Sequence, residues 1–574
     1  MTDTALSDAV AELDFFGGLG PHSQQDIHRY YASGDWQSRV LYDFVEAQAR
    51  DYPDRTFVTD GGGRLTYADL RERAVRLATG LAGLGVARGD RVAVQMPNWT
   101  EFAVTTVALS RLGAVLVPIM PIFRHEEVRY IVDHAGATLL IGPESFHKFD
   151  YRAMYAEVRA QLPALRAVVI ARSADPAALS DEGVFESLFA AGDVEELDAA
   201  LGEHAGADDP ALIVYTSGTT SFPKGCLHTF NTMYASSVAM IRRLRIGPDD
   251  VFFNPSPVAH STGLITGLVM PIIAGAGTHF QPEWDPAEGL RRIQEYRCTI
   301  TYTATTFLAT ALAAYDKADG AFDVSSMRYW VCAGAPIPGA VVQAGHARFT
   351  GCSILSLYGR SENFTTTMCS PDDSPERSVT SDGRPLEGTQ VRLVDREGEE
   401  VSRGEEGDIV YKGPAHMVGY YRNVEETRKL YTPSGFSRSG DLGYMNEDGY
   451  VRVSGRLKDI IIRGGLNISS REVEDLLSGH PAIAAVAVVA MPDKRLGEKC
   501  CAYVVLAEGV ETLTLQEVVG YLREKKVATQ KLPERLEVVA SFPMTPVGKI
   551  RKNVLRDMIA EALRAEESAQ ARPV

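Results

Sequence analysis

The sequence lacks features that mark several protein classes. Its seven cysteines include no C-x-x-C pair and no histidine spacing suited to zinc, so we expect no zinc site and cysteines that stay reduced. Basic residues are in deficit, because 58 Lys and Arg face 75 Asp and Glu, which gives a net charge of −17. This balance argues against nucleic acid as a partner, since phosphate backbones are held by clustered Lys and Arg. A small anionic ligand needs only one or two local cations and stays allowed.

Long hydrophobic runs are also missing. The longest, residues 263–275, is short and contains a proline, so it predicts no membrane span. The opening MTDTALSDAVAELDFF has acidic residues where a signal peptide has basic ones, which argues against export. The closing Ala-Arg-Pro-Val matches no common retention or peroxisomal ending. These absences predict a cytoplasmic protein.

The alternation of strands and helices is the clearest pattern that is present. Strand-like runs at 90–95 and 138–141 alternate with helical spacing at 66–81 and 102–112. This pattern predicts an α/β fold whose large N-terminal domain has parallel-rich sheets wrapped by helices. Ligands of such sheets usually lie beyond the carboxyl ends of the strands.

The pattern changes twice farther along the chain, whose 574 residues are too many for one hydrophobic core. Short strands with turn residues such as Asp448-Gly449 predict a small β-barrel-like subdomain at about 376–455. A new mixture of strands and helices then predicts an α+β domain, whose alanine-rich tail after Leu563 is expected to fray. The predicted division is an N-terminal extension at 1–35, a main domain at 36–455 and a C-terminal domain at 456–574.

The segment YTSGTTSFPKG at 215–225 concentrates hydroxyls and glycines before one lysine. It follows a strand-like run at 211–215 and precedes a helix expected from about Asn231, so we expect the loop at a strand end. Backbone N–H groups and hydroxyls can form a nest for phosphate oxygens, to which Lys224 adds a positive charge. It is not a Walker loop, because Gly225 follows Lys224 where Ser or Thr is required. Taken alone, the loop could also be an ordinary Ser/Thr-rich connection.

Five segments together resemble the signatures of the adenylate-forming superfamily, which includes acyl-CoA synthetases, peptide-synthetase adenylation domains and luciferases. They are, in order, YTSGTTSFPKG, YGRSE at 358–362, SGDL at 439–442, GRLKDIIIRGGLNI at 455–468 and PVGK at 546–549. Five motifs in the right order are a highly specific signal. The resemblance covers nearly the whole chain, from about residue 36 to 555. The text around 260–263, 333–336 and 458–467 looks most like medium-chain and alicyclic acyl-CoA ligases.

The resemblance implies an ATP-dependent acid:CoA ligase that forms an acyl-adenylate, releases pyrophosphate and passes the acyl group to the CoA thiol. Its partners would be a small-molecule acid, ATP and CoA, with Mg²⁺ bound by Glu362; a homodimer is left open. The resemblance assigns catalytic roles to Lys549, Glu362 and Lys224. It assigns nucleotide binding to Thr216, Ser217, Gly218, Thr219, Thr220, Gly334, Ala335, Pro336, Tyr358, Gly359, Ser361, Asp441 and Arg456.

The resemblance also implies that the C-terminal domain is mobile and rotates between the two half-reactions. It aligns Lys458 with the hinge, places Gly464 and Gly465 beside the pantetheine channel, and puts His260, Ser261 and Gly263 at the acceptor pocket. Each assignment has a plainer alternative, such as a surface glutamate, a core tyrosine, a paired arginine, a hairpin glycine or a structural histidine.

Departures from the family pattern keep other functions open. Ser221, Ser361 and Ser439 replace residues usual in the motifs; a left-handed backbone at Ser221 would cost about 1 kcal/mol without glycine. The same adenylating site could activate nitrite for diazotisation of an aryl amine or load a carrier protein. A nucleotide-binding scaffold without activity is the remaining alternative. The identity of the acid is not legible in the sequence.

Overall fold

The computed structural model of the protein describes residues 4–179, 183–216, 223–334, 337–464, 466–544 and 550–570. Two large sheets, a four-stranded sheet and a five-stranded sheet organise the chain. Two small hairpins pair Gly18–Leu19 with His22–Ser23 and Ser145–Phe146 with Phe149–Asp150. The α/β class with a C-terminal α+β unit is confirmed.

The first large sheet has eight strands. In spatial order they are Gly183–Val184, Ala167–Ala171, Leu139–Pro143, Arg91–Val94, Val115–Pro118, Pro210–Thr216, Lys224–Thr229 and Gly419–Tyr420. The first six are parallel, and the last two join antiparallel. The inner parallel strands are continuously apolar because helices cover both faces of such a sheet.

The second large sheet has nine strands. Their order is Arg384–Pro385, Thr367–Met368, Ser353–Tyr358, Tyr329–Ala333, Ile300–Ala304, Val251–Asn254, Gly277–Phe280, Thr56–Thr59 and Arg64–Thr66. Its centre is parallel and both its ends are antiparallel. Buried residues from both large sheets share one hydrophobic core with the helices Tyr67–Gly83 and Thr100–Leu112, and this burial is the main force that holds the sheets together.

Helices wrap the sheets and connect their strands. The remaining ones before residue 456 are Thr4–Ala11, Gln24–Ser33, Leu41–Asp51, His125–Ala135, Tyr151–Gln161, Val194–Ala200, Phe230–Leu244, Ser261–Leu264, Met270–Ala274, Pro286–Tyr296, Thr305–Lys317, Gly339–Arg348, Pro375–Thr380 and Val424–Leu430. A π-helical turn, Ile265–Val269, joins two of them. Short 3₁₀ turns occupy Pro176–Ala178, Phe185–Leu188, Leu457–Asp459 and Thr529–Lys531.

Two smaller sheets complete the fold. Gln390–Val394, Gly407–Lys412, Ser437–Met445 and Val451–Arg456 form the antiparallel four-stranded sheet. Leu466–Ser469, Ile460–Arg463, Gly497–Leu506, Ile483–Asp493 and Arg535–Val538 form the five-stranded sheet, with helices Ser470–Leu477, Leu515–Glu524 and Lys552–Gln570. The turn between Ser437–Met445 and Val451–Arg456 contains the predicted Asp448-Gly449, and Gly449 has the positive φ (+81°) that favours glycine.

The strand and the helix expected on either side of the 217–223 segment are present as Pro210–Thr216 and Phe230–Leu244, and a strand that the sequence did not predict, Lys224–Thr229, pairs antiparallel with Pro210–Thr216. One sequence expectation was wrong. The chain after Leu563, which was expected to fray, is helical to Gln570 as the last part of a helix that is anchored earlier by the buried Leu555 and Ile559.

Charged and polar side chains join the two sides of the predicted boundary at Arg456. Arg452 lies 3.5 Å from Asp475, and Arg471 lies 3.9 Å from Asp382. The Ser469 hydroxyl donates to the Ser454 carbonyl at 2.5 Å. These contacts fix the orientation that the C-terminal part has in this conformation.

Residues 18–36 pack against the segment that follows the strand Gly407–Lys412. The indole of Trp36 donates to the Pro414 carbonyl at 2.9 Å, and a His22 ring nitrogen lies 3.0 Å from the His416 carbonyl. Lys412 and Asp26 form an ion pair at 2.9 Å. Among the described residues, no helix is both long enough and apolar enough to cross a bilayer.

Four buried histidines make the stability of the fold depend on pH. Burial lowers the pKa of His22 and His228 to about 3 and that of His279 and His416 to about 4. Below pH 6.5 the unfolded chain therefore binds protons at these histidines that the folded chain does not bind. Their contribution to the free energy of unfolding is complete above pH 6.5 and is lost as the pH drops toward 4.

We predict that the melting temperature falls between pH 7 and pH 5. Each buried histidine contributes on the order of 2 kcal/mol to this loss at pH 5. His279→Gln should flatten the pH dependence in scanning fluorimetry, because it removes one buried group that the unfolded chain protonates. His279 is chosen because it lies far along the chain from the polar motifs. His125→Gln, at an exposed position, is the control and should keep the wild-type slope. Equal slopes in all three proteins would contradict this account.

Candidate active site

Glu362 lies just after the strand Ser353–Tyr358, at the carboxyl end where ligands of parallel sheets bind. Its carboxylate accepts from Arg360 Nη2 at 2.8 Å and from Tyr420 Oη at 2.7 Å. Burial acts to raise the pKa of Glu362, but the Arg360 charge and the Tyr420 hydrogen bond outweigh it and hold that pKa below its usual value. The carboxylate is therefore ionised and buried.

The turn that carries Glu362 is tightly folded. A Cβ on Gly359 would lie 1.9 Å from the Phe364 carbonyl oxygen, so glycine is required there. Phe364 has φ +56°, a left-handed conformation that is costly for an aromatic residue. The ring of His228 lies 4.2 Å from that of Phe364, and its Nε2 lies 2.8 Å from the Ser361 carbonyl. These contacts compensate the strain and fix the direction of Glu362.

Tyr358, Asp441 and Arg456 form a second polar group. The Tyr358 hydroxyl donates to Asp441 at 2.7 Å, and Arg456 Nε lies 3.0 Å from the other oxygen of the same carboxylate. Asp441 and Arg456 face each other on neighbouring antiparallel strands, which brings their side chains together. The structure thus gives Arg456 the acid partner that the sequence left open as an alternative.

Lys224 begins the strand Lys224–Thr229 opposite Thr216. Its ammonium forms an ion pair with Glu426 at 2.5 Å and lies 4.9 Å from the centre of the Tyr420 ring. Lys224 first, and then Lys429, lower the pKa of Glu426 to about 2. Lys224 and Glu362 therefore both contact Tyr420, which lies between them.

A cavity opens beside this turn. Its described lining residues are Met240, Ser256, Pro257, His260, Ser261, Thr262, Ile265, Thr266, Tyr302, Thr303, Ala304, Phe307, Ala333, Gly334, Leu357, Gly359, Arg360, Ser361, Phe364 and Thr365. His260 Nδ1 accepts from the Thr262 amide and caps the helix Ser261–Leu264. The hydroxyls of Ser261 and Ser361 lie 3.3 Å apart.

Two glycines that were predicted at the site shape this cavity. A Cβ on Gly263 would lie 2.2 Å from the Pro257 carbonyl oxygen, so the short helix packs directly on that backbone. Gly334 has φ +84°, at the end of the strand Tyr329–Ala333. Glycine is therefore favoured at Gly334 in the cavity wall and required at Gly263 in the short helix beside it.

The predicted hinge and thiol-channel residues lie in the C-terminal part. Lys458 is in the 3₁₀ turn Leu457–Asp459, where burial first and Arg456 second lower its pKa. Gly464 has φ +59°, and its amide donates to the Leu496 carbonyl at 2.7 Å in a hairpin turn. The predicted site residues that lie outside the described residues are Ser217, Gly218, Thr219, Thr220, Ala335, Pro336, Gly465 and Lys549.

Sequence reasoning missed three side chains of this site. Arg360 was inside a recognised motif but received no role, although it is the direct partner of Glu362. Tyr420 and Glu426 had no sequence signal, because they reach Glu362 and Lys224 from 58 and 202 residues away along the chain.

Comparison with known proteins decides the family. The sequence profile described as AMP-binding enzyme matches residues 45–421, and the one described as AMP-binding enzyme C-terminal domain matches residues 472–549. The chain belongs to the AMP-binding enzyme family. The predicted resemblance to adenylate-forming enzymes is confirmed.

Individual relatives span nearly the whole of this AMP-binding enzyme. It is 36% identical to the medium-chain fatty-acid–CoA ligase of Escherichia coli, over 94% of each chain. It is 33% identical to the salicyl-AMP ligase / salicyl-S-ArCP synthetase of Mycobacterium tuberculosis, also over 94% of each. The ATP-bound structure of MatB from Rhodopseudomonas palustris superposes with a TM-score of 0.80 at 28% identity, covering 91% of this chain and 100% of that one.

The donor set of this AMP-binding enzyme fits a Mg²⁺ ion that is bound mainly through its nucleotide. Mg²⁺ prefers oxygen ligands and usually takes one or two carboxylates together with substrate phosphates and water. Glu362 supplies one ionised carboxylate, and no group of three or more His, Cys, Asp or Glu in the described part of the chain could form a complete cage. The residues present therefore suit Mg²⁺ bound together with ATP.

We predict that Gly359→Ala weakens nucleotide binding by the AMP-binding enzyme. The added methyl group collides with the Phe364 carbonyl, so the turn shifts and moves Tyr358 and Glu362. Titration calorimetry should show AMP affinity reduced by at least about tenfold, equal to 1.4 kcal/mol. Gly83→Ala, in an exposed helix end with nothing within 4 Å, is the matched control and should bind AMP as the wild type does. Unchanged affinity in Gly359→Ala would refute the assignment of this turn.

Proposed function

We propose that the protein is an ATP-dependent acid–thiol ligase that converts a carboxylic acid into an acyl-adenylate and then into a CoA thioester. The observation that carries this proposal is the convergence of Lys224, Glu362, Tyr358 and Asp441 around one strand end of a chain that belongs to the AMP-binding enzyme family. Similarity to a fatty-acid–CoA ligase across nearly the whole chain supports CoA as the acceptor.

The described residues suggest a division of labour at the nucleotide. The Tyr358 ring would pack on adenine, and Asp441 would accept from the ribose hydroxyls once it exchanges its present partners. Lys224 would leave Glu426 for the β and γ phosphates, which carry more negative charge than a single carboxylate. Glu362 would hold Mg²⁺, whose charge neutralises the phosphate oxygens.

The chemistry then follows from two displacements. A carboxylate oxygen attacks the α-phosphorus, the bond to the β-phosphate oxygen breaks and pyrophosphate leaves. The thiol sulfur next attacks the acyl carbon and AMP leaves. Because the first step brings two anions together, the site must contribute mostly charge neutralisation and alignment.

The domain division at residue 456 gives the two steps separate geometries. In this proposal the C-terminal part, 456–574, rotates about Lys458 and exchanges Lys549 for the Gly464–Gly465 turn at the reaction centre. The Arg452–Asp475 and Arg471–Asp382 contacts would have to break during that rotation. Arg452–Asp475 is long and partly exposed, so breaking it costs little, whereas Arg471 and Asp382 are largely buried and have to be solvated when they separate.

Transfer to a carrier-protein thiol is the second candidate. The relative from Mycobacterium tuberculosis is named both as a salicyl-AMP ligase and as a salicyl-S-ArCP synthetase, and the two relatives cover equal shares of this chain. The first half-reaction is the same in both candidates, so only the second distinguishes them.

The deciding experiment is a pyrophosphate-release screen of the wild-type protein. Fatty, alicyclic and aromatic acids are offered with ATP and Mg²⁺, with and without CoA, and nitrite plus an aryl amine forms a separate arm. We expect at least one acid to give AMP, pyrophosphate and, with CoA, a thioester. Adenylation without thioester would favour the carrier protein, and no cleavage of ATP in any arm would refute the proposed function.

Lys549→Ala separates the two half-reactions. Lys549 is proposed to stabilise the charge that spreads over the carboxylate and α-phosphate during adenylation. We expect the variant to lose at least about a hundredfold in adenylation while retaining thioester formation from supplied acyl-adenylate. Lys525→Ala, at an exposed lysine of the same C-terminal part, is the control and should keep both steps. Equal loss of both steps in Lys549→Ala would remove Lys549 from this role.

A further inference from the structure

The cavity beside Glu362 is electrostatically one-sided. Among the described residues that line it, Arg360 is the one permanently charged side chain, and none is a carboxylate. The others are hydroxyl-bearing, apolar or glycine residues together with His260. A positive charge in a partly desolvated cavity attracts an anion much more strongly than it does in water.

The guanidinium of Arg360 is rigidly held and still has hydrogen-bonding capacity. Its Nη2 donates to Glu362 at 2.8 Å and its Nη1 donates to the Arg438 carbonyl at 3.3 Å. Each of these nitrogens carries a second N–H, and Nε carries one more. The two bonds hold the planar group in one orientation, only 19% of the side chain is exposed, and Arg360 is part of the cavity lining.

The cavity wall has polar and apolar parts. Arg360 is followed in the chain by Ser361, whose hydroxyl lies 3.3 Å from that of Ser261. Met240, Ile265 and Phe307 contribute apolar surface. This division suits an organic acid whose carboxylate lies beside Glu362 and whose hydrocarbon part extends away from it.

We propose that Arg360 binds the reacting carboxylate of the acid substrate, and that it is therefore a catalytic residue of the first half-reaction. This inference rests on the proposed function. The guanidinium donates N–H groups to the carboxylate, as Arg does in charge-assisted pairs, and leaves an oxygen lone pair free to attack the α-phosphorus.

The bond to Glu362 makes this role compatible with nucleotide binding. In the present conformation the Arg360 charge is balanced by Glu362. With Glu362 holding the Mg²⁺ of the nucleotide, the substrate carboxylate would take its place as the counter-ion of Arg360, so the buried guanidinium would keep an anionic partner. The acyl-adenylate no longer carries a free carboxylate, so Arg360 is required for adenylation and not for thioester formation.

The test measures both half-reactions in Arg360→Met and Arg360→Lys. The acid is whichever of octanoate, cyclohexanecarboxylate and benzoate gives wild-type protein its fastest pyrophosphate release. We expect Arg360→Met to raise KM for that acid by at least about tenfold, and by more than KM for ATP, which also rises because Glu362 loses its Arg360 partner. Arg360→Lys keeps the charge beside Glu362 and should be intermediate, because an ammonium lacks the planar fork.

The second measurement excludes a merely structural effect. Thioester formation from supplied acyl-adenylate should stay within about threefold of wild type in both variants. Arg348→Met, an exposed arginine paired with Asp316, is the matched control and should leave both reactions unchanged.

Two results would overturn the inference. One is an unchanged KM for the acid in Arg360→Met, and the other is an equal loss in both half-reactions. If the wild-type protein releases no pyrophosphate with any acid, the proposed function itself fails. If the wild-type protein is active and Arg360→Met has the same KM for the acid, only the role of Arg360 is refuted and the proposed function stands.

Discussion

The ionised, buried carboxylate of Glu362 is the constraint on which the site depends. A carboxylate can stay charged away from water only with strong partners, and Arg360 and Tyr420 supply them. Arg360 comes from the same turn, whereas Tyr420 comes from the last strand of the first large sheet. The carboxylate therefore ties that turn, at the end of one large sheet, to the edge of the other. The backbone of the turn, closed by Gly359 and Phe364, sets the direction of the carboxylate.

Sequence periodicity was sufficient for most of the framework. The helix Tyr67–Gly83 and the strand Arg91–Val94 follow the predicted positions closely, because the helix buries residues at helical intervals and the strand is a short run that is buried throughout. The strand Lys224–Thr229 was not predictable in this way. Its edge partner is Gly419–Tyr420, almost two hundred residues later, and the phosphate-type loop before it hid the strand signal.

The candidate site also has residues that the sequence could predict and residues that it could not. Tyr358, Glu362 and Asp441 were identifiable because they lie in short motifs whose order matches a known family. The charged and polar partners of the site could not be identified from the sequence. Glu426 becomes a neighbour of Lys224, and Tyr420 of Glu362, only when the chain folds. Arg360 is the intermediate case, because its position in a motif was visible while its bond to Glu362 and its place in the cavity lining required the fold.

The contacts made by residues 18–36 carry a consequence for where this protein can be shortened. A His22 ring nitrogen is hydrogen-bonded to the backbone carbonyl of His416. The next residue, Met417, donates its amide to the backbone carbonyl of Glu362 at 2.8 Å. The matched family region starts only at residue 45, so a protein cut there would lose Trp36 and His22 and leave the Pro414 and His416 carbonyls without these donors. The leading segment thus supports the loop behind the Glu362 carboxylate, and a protein cut at the matched family boundary lacks that support.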